Sequence, residues 1–304
     1  MIKRTLYFGS PAYLALKQRQ LEIRQTPDEG GATSVRTIPI EDIGVVLLDH
    51  PQITITHRLL DALLSYNCAV VTCSMNHLPS GLLLPLDGHS LQNERFRAQL
   101  EASVPLRKRL WQQTIQAKIQ NQAIVLQNVL GEPAKNMIAW SRQVKSGDSE
   151  NLEARAAAFY WRNFFVSLPD FVREREETAP NSLLNYGYAL LRAIVARALV
   201  ATGLLPTLGI HHHNKYNAYC LADDIMEPYR PYVDQLVVEI CEEEGFPTVL
   251  SREIKARLLS ISALDVEVEG QRRPLMLAAS QTAGSLLRCF TGEGRRLAYP
   301  LLSC

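Results

Sequence analysis

The sequence predicts an α+β protein, with a small antiparallel β domain over residues 1–88 and an all-α domain over residues 89–304. Short segments rich in β-branched residues, separated by turns, dominate the first third of the chain. From about residue 90 the apolar positions recur instead with the 3.6-residue period of helices. A length of 304 residues suits two ordinary domains, and 47% hydrophobic residues are enough to give each a core.

The β domain is predicted to begin with a hairpin. Its strands cover residues 12–16 and 20–24, on either side of a short polar turn. The sequence Asp-Glu-Gly-Gly at residues 28–31 predicts a further turn. A helix is expected at residues 56–66, because its leucines fall on one face. The remaining strands are expected at residues 35–40, 43–48, 68–72 and 82–86.

Helical periodicity characterises the rest of the chain. One stripe is formed by Trp111, Ile115, Ile119, Ala123 and Leu126. Further helices are expected at residues 150–166, 183–202, 218–244 and 251–260. Residues 271–304 mix glycine, proline and arginine, and we expect an irregular tail there.

One apolar stretch, residues 183–205, resembles a membrane span in hydropathy alone. Asn185, Arg192 and Arg197 interrupt it, so a buried helix is the better interpretation. The chain starts without an apolar stretch long enough for a signal peptide, and its six cysteines contain no CxxC pair. These features predict a cytoplasmic protein with reduced thiols and no membrane partner.

The net charge of +1 gives no overall indication of nucleic-acid binding. A DNA-binding surface would have to come from local groups of basic residues. Three candidate groups are Arg107, Lys108 and Arg109; Arg252, Lys255 and Arg257; and Arg295 and Arg296. For any one of them, a solvated helix face is the alternative interpretation.

The first segment with a candidate metal ligand covers residues 149–161. Gly147 and Asp148 indicate a helix start, which places Glu153 in or near the first turn. A negative charge is favourable there, because the N-terminus of a helix carries partial positive charge. Taken alone, Glu153 is more simply interpreted as an ordinary surface residue.

The second segment, Gly-Ile-His-His-His-Asn-Lys at residues 209–215, predicts a loop that presents imidazole groups. Neutral imidazole is a common ligand of transition metals. Three adjacent histidines cannot all point the same way, so one or two could reach a metal, and polar loop histidines are the alternative. Zinc is weakly supported, because Cys220 is the only nearby cysteine.

The third segment covers residues 221–231 and contains Asp224 and Glu227 on one helical face. Pro228 cannot donate a hydrogen bond to the Asp224 carbonyl, so the helix should kink or restart there. Glu227 would then be held at a break, where its side chain can be aimed into a cleft. A solvated charged face is the alternative interpretation.

Together, the carboxylates and imidazole of the three segments form a ligand set that fits Mg²⁺ or Mn²⁺. Lys215 and Arg230 lie beside these ligands in the sequence and could neutralise a phosphorane. The combination predicts phosphodiester chemistry.

In order and spacing, these segments resemble the CRISPR-associated adaptation integrase family. The run Asn-Ser-Leu-Leu-Asn-Tyr-Gly-Tyr-Ala-Leu-Leu at residues 181–191 is also similar to a hallmark helix of that family and favours its type II branch. The resemblance implies that Glu153, His212 and Glu227 bind the catalytic metal. It further implies supporting positions near the site at Asp224, Tyr186, Lys215 and Arg230.

The resemblance implies a metal-dependent DNA integrase and endonuclease that needs no nucleotide cofactor. The 3′-hydroxyl of a captured double-stranded DNA fragment would attack a phosphodiester at the edge of a repeat, with a metal polarising the phosphate. It also implies a homodimer formed through the β-rich domain, with two dimers bridged by a small partner protein. Two alternatives remain: a nuclease that only degrades DNA with the same ligands, and a DNA-bending or scaffolding protein with an inert site.

Overall fold

The structure, a computed structural model, describes residues 3–25, 34–174, 178–247 and 249–302. The turn predicted at residues 28–31 lies outside the described residues. The chain divides into two compact units, Met1–Ser90 and Leu91–Cys304. The α+β class is confirmed, because β-rich sheets come first and a mainly helical region follows.

The first unit contains two four-stranded sheets and one helix. Its strands are β1 (Arg4–Phe8), β2 (Ala12–Lys17), β3 (Gln20–Gln25), β4 (Ser34–Pro39), β5 (Ile43–Leu48), β6 (Ile53–Ile55), β7 (Ala69–Cys73) and β8 (Pro79–Leu83), and its helix is α1 (His57–Ser65). One sheet has the strand order β1-β5-β7-β8 and the other β4-β3-β2-β6. Leu14, Ile43, Leu59 and Leu63 lie in the common core and have no exposed surface.

Both sheets are mixed, so the predicted antiparallel arrangement is wrong in this respect. The hairpin β2–β3 and the pair β3–β4 are antiparallel. The pairs β1–β5, β5–β7 and β2–β6 are parallel. Parallel neighbours need a crossover connection, and α1 provides one between β5 and β7. The strand predicted at residues 82–86 lies earlier, at Pro79–Leu83.

The second unit is built mainly of helices. They are α2 (Gln92–Leu100), α3 (Val104–Leu130), α4 (Lys135–Gln143), α5 (Leu152–Phe164), α6 (Asn181–Ala201), α7 (Cys220–Met226), α8 (Arg230–Glu244), α9 (Arg252–Leu259) and α10 (Leu275–Phe290). The predicted stripe of α3, from Trp111 to Leu126, is buried. Helix α6 has a mean hydropathy of 1.3 over an 18-residue window, and 83% of that window is buried inside the protein. The prediction of a buried helix there is confirmed.

Two features of the second unit differ from the prediction. It is not all-α, because β9 (Asp265–Val268) and β10 (Gln271–Pro274) form an antiparallel hairpin. Glu269 and Gly270 have positive φ angles of 51° and 75°, as hairpin turns of this length require. The tail is not irregular either, because α10 buries Leu275, Ala279 and Leu286. The glycines, prolines and arginines around α10 hid this apolar period.

Candidate active site

Two of the predicted carboxylates lie on either side of one ammonium group. Lys118, on α3, has its Nζ 2.7 Å from Glu153 Oε1 and 2.6 Å from Glu227 Oε2. The other oxygen of Glu227, Oε1, accepts a hydrogen bond from Arg230 Nε at 2.8 Å. The structure therefore brings Glu153 together with Glu227 and Arg230, which lie far later in the sequence.

Glu153 is held in the first turn of α5, as predicted. The carboxylate of Asp148 accepts hydrogen bonds from the backbone N–H groups of Leu152 and Glu153, both at 2.9 Å. These contacts satisfy donors that the start of a helix leaves unpaired. The turn before them is sharp, with φ angles of 73° at Gly147 and 50° at Asp148. The side chain of Glu153 remains 23% exposed, so it can meet a ligand from solvent.

Glu227 lies at the helix break that Pro228 was predicted to cause. Helix α7 ends at Met226, a 3₁₀ turn covers Glu227–Tyr229, and α8 begins at Arg230. Asn121 on α3 donates a hydrogen bond to the Pro228 carbonyl at 2.7 Å. The break is therefore fixed against the same helix that carries Lys118.

Asp224 is completely buried and holds the histidine loop through hydrogen bonds. Its Oδ2 accepts a hydrogen bond from the backbone N–H of His211 at 2.8 Å, and its Oδ1 lies 2.5 Å from Nδ1 of His212. A side chain at Gly209 would clash, because a Cβ there would lie 2.4 Å from the His212 carbonyl oxygen. With Nδ1 of His212 paired to a carboxylate, Nε2 is the nitrogen available to a ligand, as in many metal-binding histidines.

The two rings beside Asp224 have different surroundings. His211 stacks on the buried Trp111, with ring centroids 4.1 Å apart and planes at 1°. Burial lowers the pKa of His211, whereas the hydrogen bond to Asp224 raises the pKa of His212. Lys215 lies farther along the exposed loop, with its Nζ 4.8 Å from the centre of the Tyr216 ring.

The charges around Glu227 keep it ionised. Burial alone would raise its pKa, but Arg230 and Lys118 lower the pKa of Glu227 to about 2. Burial likewise acts against the Lys118 ammonium, and the two glutamates raise the pKa of Lys118 above its ordinary value. Glu227 and the two cations, Lys118 and Arg230, are therefore charged at neutral pH.

The donor chemistry fits a hard divalent cation. In the ranges that the structure describes, no group of three or more His, Cys, Asp or Glu side chains is already arranged to hold a metal. Glu153 and Glu227 nevertheless share one cationic partner, and both charges act on His212 to raise its pKa. Two carboxylates and one imidazole are the oxygen-rich set that Mg²⁺ or Mn²⁺ takes.

Tyr186 is completely buried on α6, and its role at the site stays a prediction. Tyr188, two residues later, was not singled out by the sequence but borders the site. The Arg230 guanidinium lies 4.5 Å from the centre of its ring. Its hydroxyl donates a hydrogen bond to the buried Asp234 at 2.5 Å, and Tyr160 donates to the same carboxylate at 3.0 Å.

Lys118 and Gln122 also lie at the site and were not predicted from the sequence. Both occupy the inward face of α3, seven and eleven residues after Trp111, and both are buried. A lysine at an apolar position of a buried helix was the available signal, since a buried charge must have a partner.

Two cavities lie beside Glu227 and Arg230. One of about 310 Å³ is lined by residues that include Lys118, Gln122, Trp161, Arg173, Tyr188 and Glu227. Another of about 560 Å³ is lined by residues that include Arg173, Arg192, Tyr216 and Arg230. Guanidinium groups and aromatic rings are the side chains that contact phosphates and bases of single-stranded nucleic acids.

Two of the three predicted basic groups adjoin in the structure. Gln113, one turn after Arg109, donates a hydrogen bond to the Arg295 carbonyl at 3.1 Å and accepts one from the backbone N–H of Leu297 at 2.9 Å. The third group presents only part of its charge to solvent, with Arg252 exposed, and its role in DNA binding stays a prediction. Lys255 is only 4% exposed, and Arg257 pairs with Glu243 at 2.8 Å, because α9 packs into the unit.

Comparison with known proteins shows the family. Residues 6–248 match the family model for CRISPR associated protein Cas1. The CRISPR-associated endonuclease Cas1 of Neisseria meningitidis is 35% identical over 286 residues, which cover 94% of this chain and 91% of that protein.

Two solved structures show a similar fold at low identity. A casposase bound to integration product matches with a TM-score of 0.77 at 19% identity, over 98% of this chain and 93% of that one. A chain of a Cas6-RT-Cas1–Cas2 complex matches with a TM-score of 0.74 at 19% identity, over 99% of this chain and 36% of that one. By its match to the family model and its identity with the Neisseria protein, the chain belongs to the Cas1 family of CRISPR-associated proteins.

Proposed function

We propose that this chain is a metal-dependent DNA integrase of CRISPR adaptation, which joins the 3′-hydroxyl ends of captured DNA fragments to the repeat array. The observation that carries the proposal is the pairing of Glu153 and Glu227 on one cation, near enough to His212, which Asp224 holds in place, for both charges to raise the pKa of His212. Membership of the Cas1 family supports it.

In this proposal, Glu153, Glu227 and Nε2 of His212 hold Mg²⁺ or Mn²⁺. When bound, the metal acts as a Lewis acid that polarises a phosphate oxygen. Asp224 fixes the orientation of the His212 ring, and Arg230 orients Glu227 through their 2.8 Å contact. Arg230 lies beside Glu227, which would hold the metal, so its guanidinium would also be near the phosphate and would stabilise the negative charge that develops there.

The reaction is a transesterification. The 3′-oxygen of the fragment forms a bond to phosphorus and gives up its proton, while the bond from phosphorus to the 3′-oxygen of the target strand breaks and that oxygen takes a proton. One phosphodiester replaces another, so the reaction needs no nucleotide cofactor.

The proposed substrates are a double-stranded DNA fragment with 3′ overhangs and a repeat-bearing target. The cavities that contain Arg173, Arg192 and Arg230 support DNA binding, as do the adjoining basic residues at the start of α3 and in the tail. The similar casposase structure is bound to an integration product, which supports this chemistry.

The proposed assembly is a homodimer in the cytoplasm that works with a small bridging protein of the same adaptation system. The edge strands β4 and β8 of the first unit support a dimer contact, since exposed edges need covering. The Cas1–Cas2 complex among the fold neighbours supports the partner. We assign the chain to the type II branch from the run at residues 181–191 and its 35% identity with the Neisseria protein.

A strand-transfer assay tests the proposed activity. The purified chain is mixed with Mn²⁺, a labelled fragment with 3′ overhangs and a plasmid that carries a repeat. We expect the label to become covalently joined to the plasmid. Shortening of the fragment without joining would identify a nuclease instead, and no metal-dependent change in either DNA would identify a scaffolding protein.

A further inference from the structure

Lys118 is a nearly buried cation in the centre of the candidate site. Its side chain is 11% exposed, and its Nζ contacts one oxygen from each glutamate. A buried ammonium is stable only when it is paired, and two buried or half-buried carboxylates so close together equally require a cation. Lys118, Glu153 and Glu227 therefore stabilise each other as a set.

A metal bound by these glutamates would need the position that Lys118 holds. Glu153 Oε1 and Glu227 Oε2 are in contact with Nζ at 2.7 and 2.6 Å, and Glu227 Oε1 is in contact with Arg230. Glu153 and Glu227 would hold a divalent ion through carboxylate oxygens, which Mg²⁺ contacts at about 2.0–2.1 Å in proteins. The ammonium nitrogen and a metal ion cannot both contact the same carboxylate oxygens, because the two cations would clash and repel each other.

Within the described part of the chain, an acceptor without a donor lines the same cavity as Lys118. Gln122 lies one turn farther along α3, is 3% exposed, and lines the same cavity of about 310 Å³ as Lys118. Among the described residues, its Oε1 has no hydrogen-bond partner. A buried acceptor without a donor is costly, so an ammonium that arrives there gains a contact.

We propose that Lys118 is a positioning residue that holds Glu153 and Glu227 together before metal binds, and that the metal displaces its ammonium into the cavity towards Gln122. This inference rests on the metal site of the proposed function. The same two carboxylates would then bind either the Lys118 ammonium or the metal, so the metal must compete with the internal ion pairs of Lys118.

The test compares Mn²⁺ binding to the full chain and to three variants by electron paramagnetic resonance titration. Lys118→Met removes the competing charge, so we expect Mn²⁺ to bind at least about tenfold more tightly, together with a lower Tm in the absence of metal. Gln122→Leu removes the acceptor and should weaken Mn²⁺ binding severalfold. Lys135→Met, an exposed lysine on α4, is the matched control and should change neither quantity.

A crystal structure of the unaltered chain with Mn²⁺ is the second measurement, and it does not depend on how well a variant folds. We expect Nζ of Lys118 to leave both carboxylates and to approach Gln122 Oε1. If Mn²⁺ binds while Nζ stays on both glutamates, or if Lys118→Met binds Mn²⁺ no more tightly, this inference is overturned while the metal site stands. If the unaltered chain binds no Mn²⁺ at this site, both fail.

Discussion

At the scale of single residues, ring contacts distinguish His211 and His212 among three adjacent histidines. The residue pattern left open which imidazole could bind a metal, because the direction of each side chain depends on its tertiary neighbours, and only the family resemblance pointed to His212. The ring of His211 stacks on Trp111, whereas Nδ1 of His212 forms a hydrogen bond with Asp224. Trp111 lies 100 residues before His211 and Asp224 lies 12 residues after His212, so the contacts that distinguish the two rings come from tertiary packing.

We expect His212→Ala to reduce DNA joining by at least about 10²-fold, the loss typical for one precisely placed electrostatic group. His211→Ala should keep its activity but lose about 1 kcal/mol of unfolding free energy, since it gives up the stack on Trp111. His213→Ala should change little. Joining rates and urea unfolding of the three variants measure this. An inactive His211→Ala beside an active His212→Ala would show that the ligand is the other histidine.

Asp234 predicts a specific dependence of stability on pH. Burial raises the pKa of Asp234 from 3.8 to about 7, even though Tyr188 and Tyr160 donate hydrogen bonds to it. The folded state therefore keeps this proton up to a higher pH than the unfolded state does. As a result, this group lowers the unfolding free energy as pH rises from about 4 to about 7.

The Asp234→Asn variant tests that prediction, since it keeps the shape of the side chain and removes the titration. We expect the Tm of the unaltered chain, relative to that of the variant, to decrease as pH rises from 4 to 7. The two curves of Tm against pH should therefore not be parallel in this window. Parallel curves would mean that Asp234 titrates alike in the folded and unfolded states.

At the scale of helices and strands, local rules predicted the positions of both glutamates. Pro228 interrupts the helix whatever its tertiary surroundings, because it has no backbone N–H to donate. Glu227 therefore falls at the break between α7 and α8. The start of α5 was likewise visible from Gly147 and Asp148. The parallel strand pairs and the partners of Lys118 were not predictable this way, because crossovers and the contacts of a buried cation are set by tertiary packing.

The cap on α5 can be tested by replacing Asp148. Asp148→Asn tolerates the same left-handed backbone, but it loses the negative charge and one of the two acceptor oxygens. We expect a loss of about 1 kcal/mol in unfolding free energy, measured by urea denaturation. Glu150→Gln, which lies two residues on and pairs with Lys145 at the exposed surface, is the control and should cost much less. Equal losses would refute the capping role.

At the scale of the whole molecule, a net charge of +1 conceals an uneven distribution of charge. Basic residues at the start of α3 and in the tail adjoin through Gln113, whereas Arg257 is neutralised by Glu243. An integrase holds fragments of variable sequence, so phosphates are its constant target. Contacts to about 6–10 phosphates would lower DNA affinity by about 10³–10⁵ between 50 and 200 mM salt.

We expect Arg109→Glu and Arg295→Glu each to flatten the plot of log affinity against log salt by about one unit. Arg257→Glu is the matched control, and its slope should stay close to that of the unaltered chain. Titrations of labelled DNA at several salt concentrations give these slopes. A larger change from Arg257→Glu than from the other two would place the DNA elsewhere.

The most direct test of the account combines metal, DNA end and ligand in one joining reaction. Fragments that end in a 3′-hydroxyl or a 3′-deoxy group are offered to the unaltered chain, to Glu153→Gln and to Glu227→Gln, with and without Mn²⁺. We predict joining only by the unaltered chain, only with Mn²⁺ and only for the 3′-hydroxyl end. Joined product from either variant at a rate near that of the unaltered chain, or without a divalent metal, would contradict the assignment of these two glutamates as metal ligands.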